Sequence, residues 1–362
     1  MQRITLDPAN NQPATRDLPS GVAVPDELPP AKEVKVHPFK SGGENASLFF
    51  VGTATVIIEW AGIRIMTDPN FLHAGDHVHL GPGVSSARRT NPAVDLHGLP
   101  RIDFVLLSHY HGYTYLHFPE SSPIEETQSN ENRDHFDQKV EASLRRDLPI
   151  ITTPHAHSRL TNKGADSFTN VSALDPFETA IVDIKDSAGP RRQLRITGMP
   201  GKHIPSNSIA ESLNSLANAI PPTNGWMLEL GTQPDARADA DFVCGYRMYI
   251  SGDTLLVDEL KEIPHRYADK PIDLMLAHLG GTMVPSPALA PLALMVTMDA
   301  EQGVQLIRLI RPDLTIPIHY DDYEVFASPL EDFKREVEKA GLEGKVVYLD
   351  RKDRFRFAVR DG

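Results

Sequence analysis

A single cysteine, Cys244, stands among 362 residues. One thiol excludes an intramolecular disulfide and a zinc site built from several thiolates. It fits a reducing compartment, and the cytoplasm is the expected location. Cations are outnumbered: 36 Lys and Arg face 49 Asp and Glu, for a formal net charge of −13. No nucleic-acid partner is expected of such a chain, because a phosphate-backbone binder needs clustered cations. Long apolar runs are also lacking. The most apolar late stretch, Pro285 to Met298, is short and broken by Pro287 and Pro291, so no transmembrane segment is expected. The first forty residues carry no apolar core of a secretory signal. Two catalytic signatures are missing as well. There is no G-x-S-x-G nucleophile elbow, and Gly81-Pro82-Gly83 lacks the strand–helix frame of a phosphate loop.

Residues 1–45 are rich in Pro, Asn and Asp with few large apolar side chains, and read as a flexible arm. From residue 46 to 362 the pattern is that of one domain. Leu48 to Val51, Thr55 to Trp60 and Ile63 to Thr67 are β-rich runs, and Ala61-Gly62 marks a hairpin. Further strands are expected at Phe104 to Leu107, Ile150 to Thr153, Ala180 to Ile184, Leu194 to Ile196, Trp226 to Leu230 and Tyr246 to Ile250. Leu274 to Ala277, Leu314 to Ile316, Val346 to Leu349 and Phe355 to Val359 continue the series. Helical stripes fall at Phe136, Val140 and Leu144, and at Val304, Ile307 and Ile310. A third helix opens after Ser328-Pro329, carries Phe333 and Val337, and stops at Gly341. Strands that alternate with helices later in the chain predict a layered α/β domain.

The fifteen histidines carry the chemistry. The run at Phe104 ends in Ser108-His109-Tyr110-His111, and an H-x-H pair after a buried strand can converge on one ion. Asp134-His135-Phe136-Asp137 opens a helical stripe, where an Asp and a His can face a common site or the Asp can simply cap the helix. His203, Asp253 and His319 each follow a strand. Side chains at several strand ends meet at one edge of a sheet, where open α/β sites lie. His278, before Gly280-Gly281, is a candidate general acid or a buried hydrogen-bonded residue. Tyr320 is a candidate donor to a developing oxyanion or a packing residue. His155, His157, His73, His77 and His79 read as surface or supporting residues, and Cys244 as a small core residue.

Taken together these residues resemble the metallo-β-lactamase superfamily, over roughly Ser47 to Phe357. The opening Phe50-Val51-Gly52-Thr53-Ala54-Thr55-Val56, followed by Thr67-Asp68-Pro69, is similar to the branch holding N-acyl-phosphatidylethanolamine phospholipase D and ascorbate-phosphate lactonase. The resemblance implies an αββα sandwich of two mixed sheets with outer helices. It matches Asp68 to a supporting aspartate, and His109, His111, Asp134 and His135 to the central H-x-H-x-D-H motif. His203, Asp253 and His319 match the later ligands. One metal would then be held by His109, His111 and His203, a second by Asp134, His135 and His319, with Asp253 between them, and Asp253 and Asp134 would also be catalytic. Two Zn2+ per chain are implied, with iron or manganese as other candidates. A water between two dications is acidic enough to attack near neutral pH. The implied activity is hydrolysis of a phosphodiester in a small-molecule or lipid substrate, with a lactone or ester as the alternative.

The central motif is split. Twenty-two residues, Gly112 to Arg133, lie between His111 and Asp134, where the superfamily has one. Polar and without periodicity, the 112–133 insertion reads as a surface loop or as a stretch left by an incorrect gene model. A protein whose split motif fails to close would be a non-catalytic relative.

Overall fold

The structure is a computed structural model that describes residues 2–81, 84–111, 135–185, 191–204, 220–233, 242–284 and 293–360. Two mixed sheets face one another. The first has seven strands, in the order Gln2–Leu6, Thr179–Ile184, Arg191–Pro200, Asn224–Gln233, Val243–Ile250, Leu274–His278, Leu314–Ile318. The second has eight, in the order Val171–Ala173, Ile150–Thr152, Phe104–Leu106, Ile63–Thr67, Thr55–Trp60, Ala46–Gly52, Arg354–Phe357, Val34–Val36.

Alternation along each strand explains the layers. In Ala46–Gly52, Leu48 and Phe50 point into the cluster shared by the two sheets, while Phe49 and Val51 point outward. In Asn224–Gln233, Trp226, Leu228 and Leu230 face inward and Met227 outward. Both faces are buried because helices cover the outside. Gln138–Ser143 and Pro154–Thr161 lay Val140, Ala156 and Leu160 on the eight-stranded sheet. Ala300–Ile310 and Leu330–Ala340 lay Val304, Ile307, Phe333 and Val337 on the seven-stranded one. This is the αββα sandwich, and strands buried on two faces read in sequence as nearly continuous apolar runs.

Local signals held where backbone geometry demanded them. Ala61 and Gly62 have φ of 52° and 77°, the two left-handed residues of a type I′ hairpin turn. Gly341, at φ 67°, ends Leu330–Ala340 in a left-handed cap. Ser328 does not cap that helix. Its Oγ accepts from the Ala300 backbone N at 3.0 Å, at the start of the neighbouring helix. Val346 to Leu349 is not a strand, and Val346 makes only an isolated bridge to Thr315.

The segment expected as a flexible arm is strapped to both sheets. Gln2–Leu6 pairs in parallel with Thr179–Ile184 as an edge strand, and Val34–Val36 pairs in parallel with Arg354–Phe357 at the edge of the other sheet. Between them Arg16 N donates to Ser143 O at 2.8 Å. Composition misled here because edge strands need only one buried face. Leu6 and Leu28 supply that anchoring, at 6% and 5% exposure. Burying a leucine contributes roughly 2 kcal/mol. Removal of residues 1–9 should therefore lower the melting temperature by several degrees, read by circular dichroism. An unchanged melt would return the segment to the status of an arm.

Candidate metal centre

The strands of the seven-stranded sheet that carry His203, Asp253, His278 and His319 all run the same way. Val243–Ile250, Leu274–His278 and Leu314–Ile318 are mutually parallel, and Arg191–Pro200 is antiparallel to the intervening Asn224–Gln233. Their C-terminal ends share one edge of the sandwich. Ile63–Thr67 and Phe104–Leu106, also parallel, deliver Asp68 and Ser108–His109 to the same edge. Two backbone bonds clamp the sheets together there: Asn224 N donates to Ser108 O at 3.0 Å, and His319 N to Thr53 O at 2.9 Å.

Six of the candidate side chains converge. His109 and His111 bring their Nε2 atoms to 3.2 Å. The His109 ring centroid lies 4.6 Å from that of His203 and 4.3 Å from that of His135. His135 Nε2 lies 3.1 Å from His319 Nε2 and 3.1 Å from Asp253 Oδ2, and His319 Nε2 lies 3.4 Å from the same oxygen. Ligand atoms of His109, His135 and Asp253 all fall within 4.8 Å of one another. Asp134 lies outside the described residues, as do His117 and the rest of 112–133. His135 sits inside the cluster all the same, so the residues added after His111 do not keep it away. It enters just before Gln138–Ser143, which is capped by Asp137: Asp137 Oδ1 accepts from Val140 N at 2.8 Å.

The donors are aimed by what stands behind them. The carbonyls of Val296 and Leu279 each lie 3.0 Å from Nδ1 of His203 and His319. A carbonyl only accepts, so Nδ1 carries the proton and the neutral ring presents a lone pair at Nε2. Behind His109 stands Ser108, whose Oγ lies 3.0 Å from His109 Nδ1 and 2.9 Å from Asp68 Oδ1. The hydroxyl donates to the carboxylate and accepts from the imidazole. Asp68 Oδ1 also accepts from Ser108 N at 2.7 Å, while Oδ2 lies 3.6 Å from His135 Nδ1. Such outer partners fix tautomer and ring orientation at metal sites.

Electrostatics divide the rings. Burial, with His135, His203 and His111 beside it, holds His109 well below the usual imidazole range. Burial also opposes charge on His135, but Asp253, then Asp68, outweigh it and hold that ring well above the range. Burial works against ionisation of Asp253, and His135 and His319 outweigh it, keeping the carboxyl well below its ordinary value.

The donor set fits a metal. Two ligands of a tetrahedral ion, each about 2.1 Å from it, stand about 3.4 Å apart. His135 Nε2, His319 Nε2 and Asp253 Oδ2 form a triangle with edges of 3.1, 3.1 and 3.4 Å, close to one face of such a tetrahedron. Asp253 Oδ1 is buried with no hydrogen-bond partner among the described residues.

Two expected catalytic residues are placed elsewhere. His278 has no exposed surface and stacks on His135 with centroids 6.1 Å apart. Its Nε2 faces Asp68 Oδ2 at 3.9 Å, and its backbone N donates to Ser251 Oγ at 2.9 Å. A ring enclosed on that side packs against the cluster and does not line the opening beside it. Tyr320 donates its hydroxyl to Leu349 O at 3.1 Å, which takes it away from any oxyanion. His155 and His157 lie in Pro154–Thr161, and exposed His73 pairs with Asp95 at 2.7 Å. Cys244 is half-buried, its thiol pushed up to about 11 by burial, which leaves it inert. The sequence reading missed Ser108 and Thr297. Ser108 stands beside a ligand motif, so adjacency was a usable signal. For Thr297, whose Oγ1 donates to Asp253 Oδ2 at 3.3 Å, no sequence signal exists.

With this geometry in hand, comparison with known proteins gives a consistent fold. No family model matches the chain. A UPF0173 metal-dependent hydrolase from Methanopyrus kandleri is 33% identical over 82 residues, which is 23% of this chain and 36% of that protein. One from Archaeoglobus fulgidus is 23% identical over 257 residues, 71% of this chain and 83% of that protein. The chain spans less than half the length of the first curated relatives it matches. Among solved structures, an isothiocyanate hydrolase from Delia radicum gut bacteria matches with a TM-score of 0.60 at 17% identity, over 86% of this chain and 99% of that one. A metallo hydrolase from Ignicoccus hospitalis matches at 0.52 and 20% identity, over 87% and 99%. The chain shares its αββα fold with these two hydrolases.

Asp68→Asn puts a donor where His135 and His278 meet an acceptor. It should weaken metal uptake about 10- to 100-fold in a titration of the metal-free protein. Uptake equal to wild type would mean that Asp68 only braces Ser108. Tyr320→Phe removes one hydrogen bond remote from the cluster and should cost about 1 kcal/mol of stability at most. Its metal content should match that of wild type; a loss of bound metal would restore Tyr320 to the site.

Proposed function

We propose that the chain is a metal-dependent hydrolase whose centre is the histidine–aspartate cluster at the sandwich edge. The observation that carries this reading is the triangle of His135, His319 and Asp253 at ligand-like spacing, with the His319 Nε2 lone pair turned inward by Leu279 O. His109, His111 and His203 would hold one ion. His135 and His319, with Asp134, would hold a second, and Asp253 would lie between the two. Zinc is the first candidate and iron or manganese the others, since imidazole with carboxylate suits all three. Two dications held there supply a water acidic enough to attack near neutral pH and polarise the scissile group. The chain's own part is to orient the donors through Val296 O, Leu279 O and Ser108, and to keep bulk water from competing for them.

For the substrate we propose a phosphodiester of the phospholipase D kind, supported by the resemblance of Phe50 to Val56 and Thr67 to Pro69. A second reading, a lactone or other ester, is favoured by the opening beside the cluster. Ile220, Val284 and Val296 with Thr282 and Thr297 line it next to His111, His203 and Asp253. Among the described residues that line it there is no Lys or Arg to clamp an anion. The cytoplasm remains the proposed location. Among the described residues no helix is long and apolar enough to cross a membrane.

Protein purified without added metal or chelator should carry close to two metal equivalents per chain by elemental analysis. Asp253→Ala should abolish hydrolysis and lower that content. Full activity in Asp253→Ala would overturn the two-metal reading. Turnover of an N-acyl phosphatidylethanolamine against a lactone panel then separates the two substrate classes.

A further inference from the structure

Residues 296–298 touch the cluster twice. The Val296 carbonyl accepts from His203 Nδ1 at 3.0 Å, and Thr297 Oγ1 donates to Asp253 Oδ2 at 3.3 Å. The tripeptide is itself stapled on both sides. Val296 N donates to Thr282 O at 2.9 Å, and Met298 N to Thr254 O at 3.0 Å, one residue beyond Asp253. Gly281 N donates to Met298 O at 2.9 Å. Thr297 has no exposed surface, so its packing rather than water sets the direction of the hydroxyl. The oxygen it reaches is the one that faces His135 and His319.

We propose that Thr297 is a positioning residue that fixes the rotation of the Asp253 carboxylate. This inference rests on the metal-centre reading above and deepens it. The last torsion of an aspartate is broad, so its two oxygens trade places easily unless something holds one of them. A hydroxyl on a doubly stapled backbone does so. It keeps Oδ2 toward His135 and His319 and leaves Oδ1 as the remaining acceptor of a bridging group. The same three residues orient His203 through a carbonyl, so one short segment sets the relative placement of a histidine from one triad and the carboxylate between the two. A packing role alone would be met by valine, which has the same branched shape. A positioning role needs the hydroxyl, because carboxylates that ligate metals depend on outer hydrogen bonds for orientation.

The test compares Thr297→Val and Thr297→Ser with wild type, all stripped of metal and titrated with Co(II). Affinity is read by competition with a chromophoric chelator and geometry by the ligand-field absorption bands. Thr297→Val is expected to bind at least one Co(II) equivalent about tenfold more weakly, with shifted bands, while Thr297→Ser stays within about threefold of wild type. Melting curves of the metal-free proteins should coincide, which separates this effect from misfolding. A Thr297→Val protein with wild-type affinity and spectrum overturns the proposal, and so does a Thr297→Ser protein as impaired as the valine variant. Should Thr297→Val fail to fold, Thr297→Ala against Thr297→Ser gives the same contrast. Wild type that takes up no Co(II) refutes the metal centre itself, an outcome distinct from failure of the Thr297 role.

Discussion

The buried carboxylate of Asp68 is the constraint on which the site depends. It sits at 1% exposure at the end of Ile63–Thr67 and accepts twice from Ser108, once from backbone and once from hydroxyl. Its own backbone is tied into the sheet, with N donating to Leu106 O at 3.0 Å and O accepting from Thr55 Oγ1 at 2.7 Å. A carboxylate without water is costly unless every lone pair is used. Here that demand forces Ser108 to turn out of the strand. Once Ser108 is fixed, its hydroxyl can only accept from His109, and its carbonyl is presented to Asn224 across the sandwich. One side chain therefore sets the tautomer of a candidate ligand and the closure of the two sheets at their working edge.

Strain concentrates at that edge. Asp68, Thr53, Gly252 and His319 have φ of 33°, 52°, 62° and 63°. Left-handed backbone costs of order 1–3 kcal/mol for residues other than glycine and persists only where surroundings impose it. At His319 the imposition is visible. Its N is held by Thr53 O, itself on a strained residue, and its ring is held by Leu279 O. Gly252 has no alternative, since a Cβ there would stand 2.4 Å from Asn224 O. Strand geometry would carry each chain onward and apart. These left-handed residues turn Asp253 and His319 back into the space between the sheets.

Much of this was legible because strand ends announce themselves. Histidines and an aspartate after apolar runs, at His109, His203, Asp253 and His319, are visible in one dimension. That they share an edge follows from parallel strands. What sequence could not carry is direction. His278 and Tyr320 also follow apolar runs, yet one ring is enclosed behind Asp68 and the other hydroxyl is claimed by Leu349. A one-residue difference along a turn reverses the side a residue faces, and no spacing rule resolves it. The N-terminal straps were missed for a related reason. An edge strand such as Gln2–Leu6 needs a partner and one or two buried residues, not an apolar run. Thr297 lay in a stretch whose apolar character was legible only as a membrane question.

The charge pattern gives the cluster its logic. Two rings, those of His203 and His319, cannot offer a proton toward the centre, because a carbonyl holds the proton on the far side of each. His109 is in the same position through Ser108. Lone pairs of His109 and His319 therefore stand 3.2 and 3.1 Å from Nε2 of His111 and His135, with a negative oxygen of Asp253 beside the second pair. Lone pairs at that distance repel unless a positive charge lies between them. In the metal-free chain a proton shared between His135 and Asp253 supplies part of it, which is why burial fails to neutralise that pair. A dication held there would supply far more through the same donors, once it displaced the proton from His135. Preorganisation of this kind raises the free energy of the empty cluster and would lower that of an occupied one, so the left-handed turns at this edge and its fit to a cation share one origin.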